Sequence, residues 1–195
     1  IIYEQGGYLH LLDPETGASE PVNIHVRGDM NFARPRWEEV SADELSNPNI
    51  SPSGKRAIFE YRGELFTIPK EDGSWRNLTH SPGVADRYPV WSPQGDQIAW
   101  FSDESGDYQL LIADQMGQHQ RSIALPNPTF YFRPDWSPDG QYIALTDTDY
   151  NIWVVDVESG EAKEVDTDRY AHPNRAMNPV WSPDSKWIAY ARQLE

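Results

Sequence analysis

The residues with the clearest chemical potential in this chain stand just ahead of a proline that recurs along the sequence. They combine arginine, aromatic and amide side chains: Arg87, Tyr88, Phe132, Arg133, Arg175 and Asn178. Arginine can bind a carboxylate through two parallel, charge-assisted hydrogen bonds, and aromatic rings add apolar contact area. If the fold brings these residues together, they form a site for the carboxylate of a peptide. The alternative is that each arginine pairs with a nearby aspartate, such as Asp86 or Asp135, and is structural.

Other residue types that could support catalysis or metal binding lack the patterns that such chemistry needs. The histidines do not stand at the i, i+4 spacing of a helical zinc site. No Gly-x-Ser-x-Gly turn presents a nucleophilic serine. The acidic pairs Asp147/Asp149 and Asp166/Asp168 supply fewer oxygen ligands than calcium requires. The sequence therefore predicts no catalytic residue, no metal and no cofactor in this chain.

The net charge and the cysteine content indicate which kinds of molecule this protein can bind. The chain has 195 residues, a formal net charge of −15 and no cysteine. The negative charge repels polyanions and disfavours nucleic acid as a partner, and no apolar stretch approaches the roughly 20 residues of a membrane-spanning helix. Absence of cysteine rules out disulfides and thiolate metal sites. We expect a peptide or protein partner, and a cytoplasmic location with a periplasmic one as the alternative.

The recurring proline belongs to a sequence motif that occurs four times in the chain. Each copy contains a Ser-Pro pair, and the proline that opens each copy lies at 48, 89, 134 and 179. Proline presets φ, Asp or Ser bonds its own backbone, and glycine tolerates the positive φ that follows, so Ser-Pro-Asp-Gly predicts a tight chain reversal. Short β-prone runs follow each turn, and a second turn rich in Asp and Gly comes later. Four strands in about forty-odd residues are typical of a propeller blade.

These repeats predict an all-β protein, a β-propeller of four-stranded antiparallel blades, with three whole blades and two partial ones. As a single propeller segment, the chain divides into a partial blade at 1–24, an inserted loop at 25–47, blades at 48–88, 89–133 and 134–178, and a partial blade at 179–195. Both partial blades supply a second strand, so they overlap rather than complement each other. We expect a segment of a larger propeller, with a closed four-bladed ring as the alternative.

The propeller also predicts where particular residues lie. The first strand of each blade is innermost, so the residues ahead of the repeated proline should gather at one mouth of the central channel. Trp91, Trp136 and Trp181 occupy one equivalent position and are expected to pack between adjacent blades. Open blade edges favour self-association, or assembly within a larger oligomer.

Several stretches resemble the propellers of the tricorn protease family. The Trp-Ser-Pro-Asp-Gly turn, followed by Ile-Ala and then Ile-Trp-Val-Val-Asp, is similar to repeats of TolB-like proteins, prolyl oligopeptidase relatives and tricorn proteases. Residues 83–87, 98–103 and 178–190 look specifically like tricorn. The resemblance implies a non-catalytic portion of a serine peptidase, which acts as a peptide channel, filter or binding scaffold, with the nucleophile and base in downstream domains. A TolB-like scaffold for protein–protein interaction is the alternative.

Overall fold

The structure is a computed structural model that describes residues 1–5, 8–31, 38–168, 170 and 177–192. Within these ranges the chain forms seventeen β-strands, and a short 3-10 helix spans Ala42–Glu44. Two compact units are distinguished, Ile1–Glu39 and Val40–Glu195. The predicted all-β class is confirmed.

The first unit contains one antiparallel sheet of three strands. In chain order these are β1 (Ile2–Gln5), β2 (Tyr8–Leu12) and β3 (Ser19–Pro21), and β2 lies in the middle. The turn after β2 is fixed by Asp13, whose carboxylate accepts hydrogen bonds from Glu15 N at 2.9 Å and Thr16 Oγ1 at 2.8 Å. These bonds hold the pKa of Asp13 below its usual value. A four-stranded blade without its first strand would have this three-stranded arrangement.

The second unit contains three four-stranded antiparallel sheets and one two-stranded sheet. The first complete blade consists of β4 (Ser46–Ile50), β5 (Arg56–Tyr61), β6 (Glu64–Pro69) and β7 (Arg76–Asn77). The second consists of β8 (Arg87–Trp91), β9 (Gln97–Ser102), β10 (Gln109–Asp114) and β11 (Arg121–Ala124). The third consists of β12 (Tyr131–Trp136), β13 (Tyr142–Asp147), β14 (Asn151–Asp156) and β15 (Ala162–Thr167). The last sheet pairs β16 (Val180–Trp181) with β17 (Ile188–Ala189).

The first strands of successive blades, β4, β8, β12 and β16, are neighbours in space, and the core lies between the blades. One buried cluster joins the first and second complete blades, and a second cluster joins the second and third. Trp91 and Trp136 are buried in these two clusters, as predicted. Trp181 is only half-buried, and its ring stacks on Tyr142 with centroids 6.2 Å apart. The burial of apolar side chains between sheets is the main stabilising term of this arrangement.

The four Ser-Pro turns share one hydrogen-bond pattern, which confirms their structural role. Each serine Oγ accepts a bond from the backbone N–H five residues later, at 2.9 to 3.1 Å: Ser51 from Arg56, Ser92 from Gln97, Ser137 from Tyr142 and Ser182 from Trp187. The Ser137 hydroxyl also donates to Asp139 Oδ1 at 2.6 Å, which lowers the pKa of Asp139. Gly140 closes this turn with φ +76°. A small hydroxyl residue is therefore required where the first strand of each blade ends.

We expect Ser137→Ala to lower the free energy of unfolding by about 1–2 kcal/mol, because Ser137 is fully buried and its loss leaves Tyr142 N without this acceptor. Urea denaturation followed by circular dichroism measures the change. Ser182→Ala is the matched control, since Ser182 makes the same bonds but is partly exposed to water. Equal losses for the two variants would contradict the proposed dependence on burial.

Candidate functional site at the inner strands

The inner strand of each complete blade is interrupted by a β-bulge near the repeated proline. The pairing with the second strand shifts register between Ser46 and Asn49, between Arg87 and Val90, and between Phe132 and Asp135. The residues directly before the four prolines have φ between +46° and +55°: Asn47, Tyr88, Arg133 and Asn178. A residue before proline normally prefers an extended backbone, and a non-glycine residue at positive φ costs on the order of 1–3 kcal/mol. The same strained conformation therefore recurs at one equivalent position in four strands.

These positions line a single pocket of about 490 Å³ within the second unit. Its lining comes from equivalent triplets: Asn47-Pro48-Asn49, Tyr88-Pro89-Val90, Arg133-Pro134-Asp135 and Asn178-Pro179-Val180, together with Thr146 of β13. Bulges redirect side chains near functional sites in many sheets. Here the bulge allows the residue before the proline to face the same space in each inner strand.

Arg133 supplies the positive charge of this lining. Its Nη1 donates a hydrogen bond of 2.5 Å to Oδ1 of Asn178 on the neighbouring inner strand, and its side chain is exposed to solvent. This bond orients the guanidinium but uses only one of its several N–H donors. Among the described residues, Arg133 forms no ion pair with Asp135. The structure therefore does not support the alternative interpretation, in which Asp135 neutralises this arginine.

Asp135 supplies the negative charge of the lining. Water reaches its side chain through the open pocket, but the protein around it removes part of its hydration and thereby raises the pKa of Asp135. Its backbone carbonyl accepts a bond from Trp181 Nε1 at 3.0 Å. Within the ranges that the structure describes, no hydrogen bond or ion pair is seen on the carboxylate itself.

Arg87 does not line the pocket but lies beside Glu60, with 3.9 Å between Nε and Oε1. Glu60 Oε2 also accepts bonds from Asn47 Nδ2 at 2.6 Å and from the backbone N of Tyr88 at 3.3 Å. This largely buried carboxylate thus holds the bulges of β4 and β8 together. Asp86, which the sequence analysis gave as an alternative partner of Arg87, bonds to other residues. This buried carboxylate accepts hydrogen bonds from Ser81 Oγ and Trp100 Nε1.

Phe132 also lies outside the pocket lining, but it contacts Tyr88, which lines the pocket. Its ring packs edge-to-face against Tyr88, with centroids 6.0 Å apart, and Tyr88 packs against the buried Phe101 at 6.5 Å. Such pairs stabilise a fixed ring orientation. Arg175, the remaining predicted member, is outside the residues that the structure describes.

The structure therefore brings together three of the predicted residues, Tyr88, Arg133 and Asn178, and adds others that the sequence analysis did not propose as site residues. The added polar residues are Asn47, Asn49, Asp135 and Thr146. Asn47 could have been found, because it precedes the proline of the first repeat just as Tyr88, Arg133 and Asn178 precede theirs. Thr146 gives no such signal, since it stands on β13, where it pairs with Phe132 next to the register shift of β12.

The described residues were also compared with the requirements of a metal site and of a membrane-spanning helix. No group of three or more His, Cys, Asp or Glu side chains there could hold a metal ion. No described helix has the length and apolarity to cross a bilayer.

A model of the tricorn protease second β-propeller domain matches residues 45–195. The chain belongs to this family. A curated protein of Streptomyces coelicolor, named as tricorn protease homolog 2, is 25% identical over 114 residues, which are 58% of this chain and 10% of that protein. The chain thus spans about a tenth of the length of the curated relative that it matches.

Solved structures agree with the tricorn assignment at the level of the fold. The crystal structure of the tricorn protease matches with a TM-score of 0.70 and 18% identity, over 100% of this chain and 18% of that one. TolB from Acinetobacter baumannii matches with a TM-score of 0.62 and 19% identity, over 99% of this chain and 46% of that one. The predicted propeller fold and the predicted resemblance to tricorn and TolB-like propellers are confirmed. A tricorn propeller of this kind is a scaffold of repeated blades.

Proposed function

We propose that this chain is the non-catalytic propeller portion of a tricorn-like serine peptidase, and that its inner-strand pocket holds the carboxylate of a peptide. The observation that carries the proposal is the guanidinium of Arg133, which faces the pocket and is oriented by Asn178. Its remaining N–H donors suit the two oxygens of a carboxylate, which accept parallel charge-assisted bonds. The pocket would then act as a channel or filter for peptides rather than as a reaction centre.

The surroundings of Arg133 support this role. The chain carries a net charge of −15, so most of its surface repels an anionic ligand. The guanidinium of Arg133 attracts such a ligand to the pocket. Four of the nine non-glycine residues at positive φ among the described residues line the same pocket, and strained backbone of this kind is often found at functional sites. The side chain of Tyr88 adds a fixed aromatic wall for an apolar peptide side chain.

The proposal is tested by calorimetric titration of trialanine into the wild-type chain and into Arg133→Ala. We expect Arg133→Ala to weaken binding by about 10- to 100-fold, the range of a charge-assisted bidentate contact. Arg87→Ala is the matched control, because Arg87 precedes the same repeated proline but lies beside Glu60 outside the pocket. It should change the affinity by less than about 3-fold. Unchanged binding by Arg133→Ala, in a variant that keeps its circular dichroism spectrum, would reject the proposal.

A TolB-like scaffold for a protein partner is the second candidate, and one surface favours it. A pocket of about 590 Å³ away from the inner strands is lined by Phe66, Trp75, Arg76 and Met116 among others, and Trp75 is 50% exposed. Exposed Trp, Met and Arg are typical of protein interfaces. A protein partner whose affinity is insensitive to Arg133→Ala would favour this function over the peptide channel.

A further inference from the structure

We propose that the inner-strand pocket selects zwitterionic short peptides, with Arg133 binding the terminal carboxylate and Asp135 binding the free terminal ammonium. The inference rests on the proposed function and specifies its ligand: a di- or tripeptide with both ends unblocked, rather than any peptide carboxylate.

The first support is the charge balance of the lining. Among the residues that line the pocket, Arg133 is the cation and Asp135 is the anion, and both stand on β12. A ligand that carried only a carboxylate would come close to Asp135 when it bound Arg133, and like charges at short range repel each other. A ligand that also carries an ammonium turns this repulsion into attraction.

The second support is the state of Asp135 without a ligand. Loss of hydration disfavours its charged form, and none of the described residues is seen to offer its carboxylate a hydrogen bond or an ion pair. A carboxylate that has lost part of its hydration gains from a partner that donates hydrogen bonds. An ammonium donates several hydrogen bonds and would supply the missing partner.

The third support is the spacing of the two charges. Arg133 and Asp135 stand on either side of Pro134 in the bulged part of β12, so their Cα atoms are at most about 7 Å apart. The termini of an extended di- or tripeptide are about 7–10 Å apart. The pocket volume of about 490 Å³ is also within the range of small-ligand sites.

Amide side chains complete the site between the two charges. Asn47 and Asn49 of β4 and Asn178, which precedes β16, line the same pocket. The Oδ1 of Asn49 accepts a bond of 3.0 Å from Trp91 N, which leaves its amide N–H groups to face other acceptors. Amides of this kind can bind the peptide groups between the ligand's termini, which differ little from one peptide to another.

The inference is tested by titrating three probes into the chain at neutral pH: trialanine, N-acetyl-trialanine and trialanine amide. For the wild type, we expect either blocked probe to bind about 10-fold or more weakly than trialanine, because each lacks one charged contact. For Asp135→Asn, trialanine and N-acetyl-trialanine should bind within about 2-fold of each other, while the preference over trialanine amide persists. Asparagine has nearly the same shape, so circular dichroism and the melting temperature verify that the variant is folded.

The outcomes separate this inference from the proposed function. If amidation weakens wild-type binding and acetylation does not, the zwitterion inference is wrong and the carboxylate site stands. If trialanine amide binds as well as trialanine, the carboxylate contributes nothing to binding, and both proposals fail. Should Asp135→Asn not fold, the comparison of trialanine with N-acetyl-trialanine on the wild type still decides.

Discussion

Gly117→Ala is expected to lower the free energy of unfolding by about 3–4 kcal/mol, because the new methyl group meets backbone that cannot move. Gly117 has φ +74° in the turn between β10 and β11, and its N–H donates to Asp114 O at 2.9 Å. A Cβ at this position would lie 2.6 Å from the carbonyl oxygen of Leu78 in the preceding blade. Leu78 is buried, and its own N–H is bonded to Leu65 O at 2.8 Å. The substitution therefore forces adjacent blades apart.

The matched control for this prediction is Gly54→Ala. Gly54 has φ +66°, and a Cβ there would have nothing within 4 Å. The variant should show only the conformational cost of alanine at positive φ, about 1–2 kcal/mol. Urea denaturation of both variants measures the difference. Equal losses would mean that the contact between Gly117 and Leu78 does not limit the spacing of the blades.

Asp147→Ala is expected to destabilise the protein by about 3–5 kcal/mol, since it removes a buried acceptor that serves several donors at once. Its carboxylate accepts bonds from the backbone N–H groups of Asp149 and Asn151, both at 2.9 Å. It also accepts bonds from Asn151 Nδ2 and from the indole Nε1 of the buried Trp153, both at 2.8 Å. Without the carboxylate, the buried indole N–H of Trp153 loses its acceptor, and the turn loses three further hydrogen bonds.

Asp149→Ala is the control, because Asp149 belongs to the same acidic pair but is exposed. It should change the unfolding free energy by no more than about 0.5 kcal/mol. Thermal or urea unfolding monitored by tryptophan fluorescence measures both variants. A small effect of Asp147→Ala would show that water or a rearranged side chain replaces the carboxylate, contrary to the role inferred from its four hydrogen bonds.

The Ser-Pro turns could be predicted from the sequence because all of their determinants are local. The hydroxyl of Ser137 and the backbone N of Tyr142 are five residues apart, and the φ of Gly140 is set within the same turn. The strands between such turns followed from their β-prone residues, and the blade followed from the period. The tricorn resemblance was likewise carried by contiguous residues and agrees with the family match.

The composition of the pocket could be predicted only in part, because the register shifts in the inner strands are not visible in the sequence. The analysis grouped Arg87 with Tyr88 and Phe132 with Arg133 as neighbours ahead of a proline. In the structure the members of each pair are separated, and Tyr88 and Arg133 face the pocket. Arg87 lies beside Glu60 instead, and Phe132 packs on the ring of Tyr88. Which of two adjacent residues points inward depends on pairing with β9 and β13, and therefore on contacts distant in sequence.

The recurrence of one backbone conformation before each repeated proline has a consequence for how such a protein can diversify. Asn47, Tyr88, Arg133 and Asn178 share nearly the same φ although their side chains differ in charge, size and polarity. The main chain at these points is dictated by the hairpin and the proline, so the side chain can be exchanged without redesigning the blade. We therefore expect single substitutions at these four positions to change what the pocket binds while the blades keep their structure.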